Sequence, residues 1–335
     1  MNNLALKKPS VLMVALLAVG TLGLTSCSDD KSVKATDRVE EAAAIARVQG
    51  LEARAEQLKA QMPAGMSGPT GTELTSGSTA NADSVAGPKP AIKMPDESTI
   101  PDDEYGAAVR RGLLLVNNTY KEMPNNVGNQ LNCTSFHLAN GSEAFAAPWQ
   151  NMPSIYPIYR SRSGRINTIQ ERINGCFERS MNGKALDLGS DDMNAIVSYM
   201  SWLSKDLPFG VSPEGRGFVK VDKSLEPNTD NGKKLFAEKC SVCHGENGEG
   251  QYNDDGTYVF PAVAGDKSFN DGAGMARTYT AASFIKGKMP FGQGNTLTDQ
   301  EAVDIAGYFT HLPRPVKANK DKDWPNGDAP KDVRR

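Results

Sequence analysis

The sequence predicts a mainly α-helical fold built from two tandem domains with the same layout. Segments 191–203 and 299–312 form a degenerate repeat, and both read as amphipathic helices. A Cys-x-x-x-His run precedes each segment, at Cys133–His137 and at Cys240–His244. Strand-like alternation is scarce, while the 32 Gly and 20 Pro residues suit long loops between helices. Each half therefore reads as a helix, a Cys-to-His run, a long loop and a closing helix.

The helices that open the two halves are predicted at Tyr105–Asn117 and Asp230–Glu238, and each leads toward its cysteine. Ser190 and Thr298 directly precede the repeated closing helices. Both are typical N-cap residues, because a side-chain hydroxyl accepts hydrogen bonds from the free N–H groups of a first helical turn. The 335 residues suffice for two such domains and for terminal segments outside them.

Composition divides the chain into successive regions. They are a signal peptide (1–26), a tether (27–95), a first domain (96–208), an interdomain linker (209–228), a second domain (229–313) and a tail (314–335). The tether combines a helix over 33–62 with a flexible linker rich in Gly, Ser and Pro. That helix either pairs as a short coiled coil or stands alone, and its two heptads favour the lone helix. The charged tail is predicted to be mostly disordered or draped over the surface.

The first 28 residues predict export and a lipid anchor. Two lysines precede the apolar run Val11–Leu24, as in a secretory signal. The run Leu24-Thr25-Ser26-Cys27 then resembles the lipobox of bacterial lipoproteins, in which the cysteine is acylated. An ordinary signal peptide with an incidental cysteine is the alternative. We expect a lipid-anchored protein on the periplasmic side of a bacterial membrane, with the outer membrane favoured because Ser28 rather than Asp follows Cys27.

Charge and cysteine usage exclude two classes of protein. Lys and Arg total 37 against 40 Asp and Glu, with a pI near 5.8, so no basic excess points to nucleic acid. Besides Cys27, four cysteines remain, and two of them belong to one motif. A disulfide-dense scaffold is therefore not predicted, although the compartment is oxidising.

The strongest motif is Cys240, Cys243 and His244, a Cys-x-x-Cys-His run typical of covalent haem attachment. The thiols add to the two haem vinyl groups, and the imidazole becomes an axial iron ligand. A closed zinc site is the alternative, but it uses four N or S ligands and the chain has no second Cys-x-x-Cys. Helix, motif, loop and helix are the layout of a small cytochrome c, which the chain carries twice.

The second axial ligand of this haem is predicted to be Met289, in a Gly- and Pro-containing loop ahead of the last helix. A core methionine is the alternative for this residue. Lys288, beside it, is either a solvated charge or a ligand that replaces Met289 in one redox state. His311 lies at the end of the last helix, where we expect a structural role.

The first motif is incomplete. Cys133 and His137 are in place, but Phe136 occupies the position of the second thiol. Either a haem is held there by a single thioether, or no haem is bound. Cys176 lacks an evident disulfide partner and lies where a sixth iron ligand would come. With Arg162, Arg172 and Ser180 it is expected to form a loop-built pocket, in which two guanidinium groups would suit a small dianion.

Several segments around these residues resemble the dihaem thiosulfate dehydrogenases, whose first domain is similar to SoxA-type cytochromes. They are Gly128–Cys133, the step His137-Leu138, Arg172–Cys176 and Arg179–Gly183, and the resemblance covers about residues 100–313. It implies two haem c groups. It also implies His137 and Cys176 as axial ligands of the active-site haem, Arg162, Arg172 and Ser180 in the substrate pocket, and His244 with Met289 or Lys288 at the second haem. Phe136 departs from the family pattern, which has cysteine there.

The resemblance further implies a function. Thiosulfate, a small anionic sulfur compound, would be oxidised to tetrathionate, and the electrons would pass to an acceptor cytochrome. One alternative is tetrathionate reduction by the same site. The other is a non-catalytic electron-transfer cytochrome c in which only the second haem works, which Phe136 favours.

Overall fold

The computed structural model describes residues 89–334. The predicted signal peptide, the lipobox with Cys27, the helix over 33–62 and most of the linker lie outside the described residues. No helix within 89–334 combines the length and apolar character needed to cross a bilayer.

The described part is mainly helical. Its α-helices are α1 (Glu104–Asn117), α2 (Thr119–Glu122), α3 (Leu138–Gly141), α4 (Met152–Ile155), α5 (Ile169–Phe177), α6 (Asp191–Leu203), α7 (Thr229–Lys239), α8 (Ser241–His244), α9 (Thr278–Lys288) and α10 (Asp299–Phe309). Short 3-10 turns lie at Glu97–Thr99, Cys133–Ser135, Gly274–Ala276 and Lys320–Lys322. Within residues 89–334 two small antiparallel hairpins complete the fold, β1 (Ile158–Arg160) with β2 (Arg165–Asn167) and β3 (Gln251–Tyr252) with β4 (Tyr258–Phe260).

The four predicted helices at the ends of the two halves are present. Helix α6 matches its prediction, α1 begins one residue earlier, α7 is one residue longer at each end, and α10 ends at Phe309 rather than at residue 312. The early end follows from a tightened last turn, because the amides of His311 and Leu312 donate to carbonyls three residues back. Both predicted N-caps are confirmed, since the side chains of Ser190 and Thr298 accept from backbone amides in the first turn.

The two halves use the same close helix crossing. Helix α1 packs against α6, and α7 packs against α10. A Cβ atom on Gly112 of α1 would lie 2.1 Å from the carbonyl oxygen of Ala195, and one on Gly232 of α7 would lie 1.9 Å from that of Asp304. Only glycine permits such an approach. The repeat seen in the sequence is therefore a repeat of packing as well.

Side chains and loops of the two halves interlock. The Asn129 side chain donates to the Ser268 carbonyl at 3.1 Å. The hydroxyl of Tyr258, in strand β4, lies 3.1 Å from the Asn132 amide nitrogen and 2.9 Å from the Ser135 hydroxyl. The second half thus contacts the first half at its Cys-to-His run.

The tail packs onto the folded part. Of the two alternatives predicted for it, disorder is therefore wrong for residues 314–334. Arg314 is buried, and its Nη2 donates to the Phe309 carbonyl at 2.7 Å. The side chain of Asp323 is 10% exposed. Farther along, Arg334 donates to the Thr310 carbonyl. A charged composition of this kind is typical of a disordered segment, but in this tail the charged residues make specific polar contacts with both halves.

Candidate functional site

The first Cys-to-His run forms a 3-10 turn at Cys133–Ser135, followed by His137. The Nδ1 atom of His137 lies 2.6 Å from the Ala147 carbonyl oxygen, to which it donates. That bond sets the ring orientation and leaves Nε2 available for a second partner, which is the usual arrangement around a metal-binding histidine. The His137 side chain also hydrogen-bonds the Cys176 side chain.

Helix α5 carries two of the predicted pocket residues. The side chains of Thr168 and Glu171 form a capping box that starts the helix at Ile169. Arg172 and Cys176 are then four residues apart on one face, and Arg172 Nη1 donates to the Cys176 Sγ at 2.8 Å. The expectation of a loop-built pocket is wrong for these two residues, because the helix that this capping box starts runs on to Phe177 and includes both of them.

The electrostatics separate the two cysteines of this half. Burial alone would raise the pKa of the Cys176 thiol, but the Arg172 guanidinium and His137 outweigh it and lower that pKa to about 6. Burial raises the pKa of Cys133 to about 12, since no cation opposes it there. Cys176 is therefore a thiolate at neutral pH and Cys133 a thiol, which suits a ligand and an attachment point respectively.

Arg162 lies in the turn between β1 and β2, so this pocket residue does come from a loop. Its Nη1 atom donates to the Gly272 carbonyl of the second half at 2.6 Å and lies 3.5 Å from a carboxylate oxygen of Asp323. Burial, with the nearby Arg179, Arg277 and Arg172 guanidinium groups, lowers the pKa of Arg162 to about 9, and Asp323 opposes that shift. An additional anion beside Arg162 would stabilise its charged form, which burial and the neighbouring guanidinium groups disfavour.

Sequence reasoning missed Arg179 and Arg277, which act on Arg162 in the folded chain. Arg179 stands three residues after Cys176 inside a motif already singled out, so its position could have indicated it. Arg277 comes from the second half, and no local pattern connects it with the pocket. Ser180, also predicted for the pocket, is half-buried. Its carbonyl accepts from the Asn129 side chain at 2.9 Å.

The second Cys-to-His run repeats the design of the first. Helix α8 contains Cys243 and His244, directly after Cys240. The Nδ1 atom of His244 donates to the Pro261 carbonyl at 2.9 Å, which again leaves Nε2 free. Burial lowers the pKa of His244 and so favours the neutral imidazole that binds metals.

Met289 follows helix α9 and packs against the hydrophobic core. Lys288, beside it, is 14% exposed and forms an ion pair with Glu143 of the first half. Lys288 is therefore not a freely solvated charge. Its ammonium group is paired with a carboxylate, whereas the Met289 side chain is uncharged. The Nδ1 atom of His311 donates to the Gly307 carbonyl at 2.7 Å in the last turn of α10, which agrees with the structural role expected for it.

Phe136, at the position of the absent thiol, is part of the contact between the halves. Its ring meets that of Phe269 edge to face, with centroids 5.9 Å apart. The Arg314 guanidinium lies 4.5 Å from the Phe269 centroid. The substitution is thus accommodated by an aromatic contact rather than by an empty space.

The residues present fit haem groups. Among the residues 89–334, buried guanidinium nitrogens without partners include those of Arg277 and Arg314. A buried N–H group without a partner is costly, and propionate carboxylates are suitable acceptors for it. With the second ring nitrogens of His137 and His244, these donors are suited to propionate-bearing macrocycles. His137 with Cys176 would hold one, and His244 with Met289 the other.

Two family models match the chain. The SoxA/TsdA cytochrome c domain matches residues 130–209. The model described as cytochrome C oxidase, cbb3-type, subunit III matches residues 227–309. The two described halves are therefore cytochrome c domains.

Curated relatives and a solved structure agree with these matches. The thiosulfate dehydrogenase of Psychrobacter arcticus is 75% identical over 335 residues, all of both chains. That of Allochromatium vinosum is 40% identical over 233 residues, which cover 68% of this chain and 86% of its own. The solved thiosulfate dehydrogenase TsdBA from Marichromatium purpuratum is similar at a TM-score of 0.62 and 36% identity, over 67% of this chain and half of the solved one.

Proposed function

The chain belongs to the thiosulfate dehydrogenase family, and on that premise we propose that it oxidises thiosulfate to tetrathionate in its first domain. The observation that carries the proposal is the hydrogen bond from Arg172 to Cys176, a part-buried contact that favours the thiolate form of Cys176. Arg162 supplies a second guanidinium group whose surroundings favour an anion. Thiosulfate is a small dianion with a reactive sulfur, so it suits both features.

The chemistry joins two thiosulfate dianions through one new S–S bond with the loss of two electrons. Cys176 thiolate forms an S–S bond with the terminal sulfur of the first thiosulfate, and two electrons leave. The second thiosulfate attacks that bond, which releases tetrathionate and restores the thiolate. Arg162 and Arg172 hold the sulfonate groups in place by charge-assisted hydrogen bonds. Haem, when bound, supplies the acceptor for the electrons.

Two haem c groups per chain are part of the proposal. Cys133, His137 and Cys176 would hold the first, with a single thioether bond to Cys133. Cys240 and Cys243 would hold the second, with His244 and Met289. A thioether donor such as Met289 raises the potential of a haem relative to a thiolate donor such as Cys176, so the pair would supply two different potentials for accepting electrons. An acceptor cytochrome would then take them.

The mature protein is proposed to act on the periplasmic side of a bacterial membrane, anchored through an acylated Cys27. The run Leu24–Cys27 after an apolar segment supports this. Two or more acyl chains give stable anchoring where a single chain does not. Cys27→Ser should release the protein from membranes or stop its processing. Unchanged membrane fractionation and an unchanged intact mass would count against the anchor.

The decisive experiment combines a haem-to-protein ratio, measured on protein matured in its own host, with thiosulfate turnover. Cys176→Ala should abolish thiosulfate-dependent reduction of an acceptor while an artificial donor still reduces the second haem. The exposed Lys184, changed to alanine, is the matched control and should keep full activity. Retained turnover in Cys176→Ala would refute the role of the thiolate. One haem per chain without turnover would instead identify an electron-transfer cytochrome, the function that Phe136 favours.

A further inference from the structure

The C-terminal strap, residues 319–327, runs from the second half back onto the first. Lys320 pairs with Asp271 at the end that lies on the second half. The amide of Trp324 donates to the Arg162 carbonyl at 2.8 Å, and the Asn326 side chain donates to the Tyr159 hydroxyl at 2.9 Å. The strap therefore holds the hairpin β1–β2, whose turn carries Arg162.

Asp323 shares its carboxylate between two arginines. Oδ1 accepts from Arg179 Nη2 at 2.7 Å, and Oδ2 lies 3.5 Å from Arg162 Nη1. All three side chains are largely buried, with exposed fractions of 20% for Arg162, 17% for Arg179 and 10% for Asp323. Arg162 Nη1 also donates to the Gly272 carbonyl. The two guanidinium groups are thus oriented on one side by protein acceptors, while the buried Nε of Arg179 has no partner in residues 89–334.

Trp324 covers one face of Arg162. The guanidinium carbon lies 4.4 Å from the centroid of the indole ring, a cation–π contact. The φ angle of Trp324 is +57°, in the left-handed region that bulky residues seldom adopt. Such a conformation persists where the surroundings impose it, and here the bond from the Trp324 amide to Arg162 fixes it.

We propose that Asp323 is a positioning residue of the anion-binding pocket, and that with Trp324 it sets the affinity for thiosulfate through Arg162 and Arg179. This rests on the proposed function. The shared carboxylate keeps two repelling guanidinium groups together and leaves their other donors toward the substrate. Trp324 limits the directions from which Arg162 can be approached.

Neutralising Asp323 should change the affinity for thiosulfate, and the direction of that change separates positioning of the arginines from competition with the substrate. If Asp323 merely competed with the substrate for the arginines, its neutralisation would strengthen thiosulfate binding. If it positions them, neutralisation lets the guanidinium groups separate and binding weakens. A charge-assisted hydrogen bond is worth enough that its loss corresponds to roughly tenfold or more in affinity.

Asp323→Asn in the holoprotein should raise the KM for thiosulfate roughly tenfold, with kcat within about twofold, when ferricyanide accepts the electrons. Asp323→Glu should recover part of the affinity. Asp321→Asn, an exposed carboxylate in the same turn, should have no effect. Should Asp323→Asn fail to fold, as thermal melts would reveal, Trp324→Leu tests the same pocket and should also raise KM.

A lowered or unchanged KM in Asp323→Asn, or an equal rise in Asp321→Asn, would overturn the positioning role. Calorimetric titration with sulfate, a dianion that cannot be oxidised, separates this proposal from the proposed function. If the wild type binds sulfate more tightly than Asp323→Asn but never turns over thiosulfate, the reaction is wrong and the pocket assignment stands. If sulfate affinity is the same in both proteins, the pocket assignment is wrong.

Discussion

Replacing Phe136 by cysteine would complete the first Cys-x-x-Cys-His run and tests whether the absent thiol limits haem loading. In the wild type we expect a first haem bonded through Cys133 alone, with one vinyl group left unsaturated. In Phe136→Cys a second thioether should form, so that the haem count rises or stays the same. The pyridine haemochrome band should then move to shorter wavelength, because the remaining vinyl group becomes saturated.

The same substitution removes the contact between Phe136 and Phe269. An edge-to-face aromatic pair contributes about 1 kcal/mol beyond its buried area. Full deletion of a core phenylalanine costs about 3–5 kcal/mol, but Phe136 is only half-buried and cysteine keeps its Cβ and adds a sulfur. The haem-free chain should therefore lose about 2 kcal/mol of folding free energy. A covalent second bond offsets this in the loaded protein, because the haem then cannot dissociate at that edge.

Phe136→Ser is the matched control, since it removes the same ring without supplying a thiol. It should show the same loss of about 2 kcal/mol in urea unfolding of haem-free protein, with no gain in haem content and no band shift. The haem-to-protein ratio of the two variants, matured in the same host, is the deciding measurement. Equal haem content and equal band positions in both would refute the reasoning that the second thiol limits attachment.

Three further outcomes follow from the structure. Cys240→Ala with Cys243→Ala should remove covalent haem staining of the second domain and all turnover, and full turnover would contradict the assignment of that haem. Glu171 has a pKa lowered to about 2 by the Thr168 backbone amide and then by Arg165, so its contribution to stability is present above the ordinary carboxyl pKa and is lost as the pH falls toward 2. In urea unfolding, the wild type should have a higher free energy of unfolding than Glu171→Gln, and the difference should be larger at pH 7 than at pH 3. Gly112→Ala should lower stability by about 2–3 kcal/mol, because its Cβ would meet a carbonyl oxygen of α6.

Helix positions in this chain were predictable where both a cap and a periodic pattern were present. Helix α6 combines Ser190 as its N-cap with apolar residues at helical spacing, and its predicted bounds are those observed. Helix α5 carries an equally readable cap, Thr168 with Glu171, and runs to Phe177, so that it includes both Arg172 and Cys176. That cap alone would have predicted a helix face shared by Arg172 and Cys176 in place of a loop-built pocket.

The pocket partners contributed by the tail were not predictable in the same way. Asp323 lies 161 residues from Arg162 and 144 from Arg179, so no local periodicity relates them. The composition of the tail resembles that of a disordered segment, since it offers little apolar area to bury. What orders it is a small set of ion pairs, hydrogen bonds and one stacked tryptophan. These depend on surfaces that exist only after both halves have folded.

The hydrogen bonds from His137 and His244 to backbone carbonyls bear on how each half would capture a haem. Each imidazole is locked by the protein itself before any iron is present, so little rotational entropy remains to be lost when a metal bond forms. A thioether bond would then act chiefly as a covalent tether, which raises the local concentration of the macrocycle around an imidazole that is already oriented for binding. Loss of one of the two thioether bonds allows the porphyrin a wider range of motion but leaves the residues that bind it unchanged. By this reasoning a domain lacking one attachment cysteine is impaired at the loading step more than at retention.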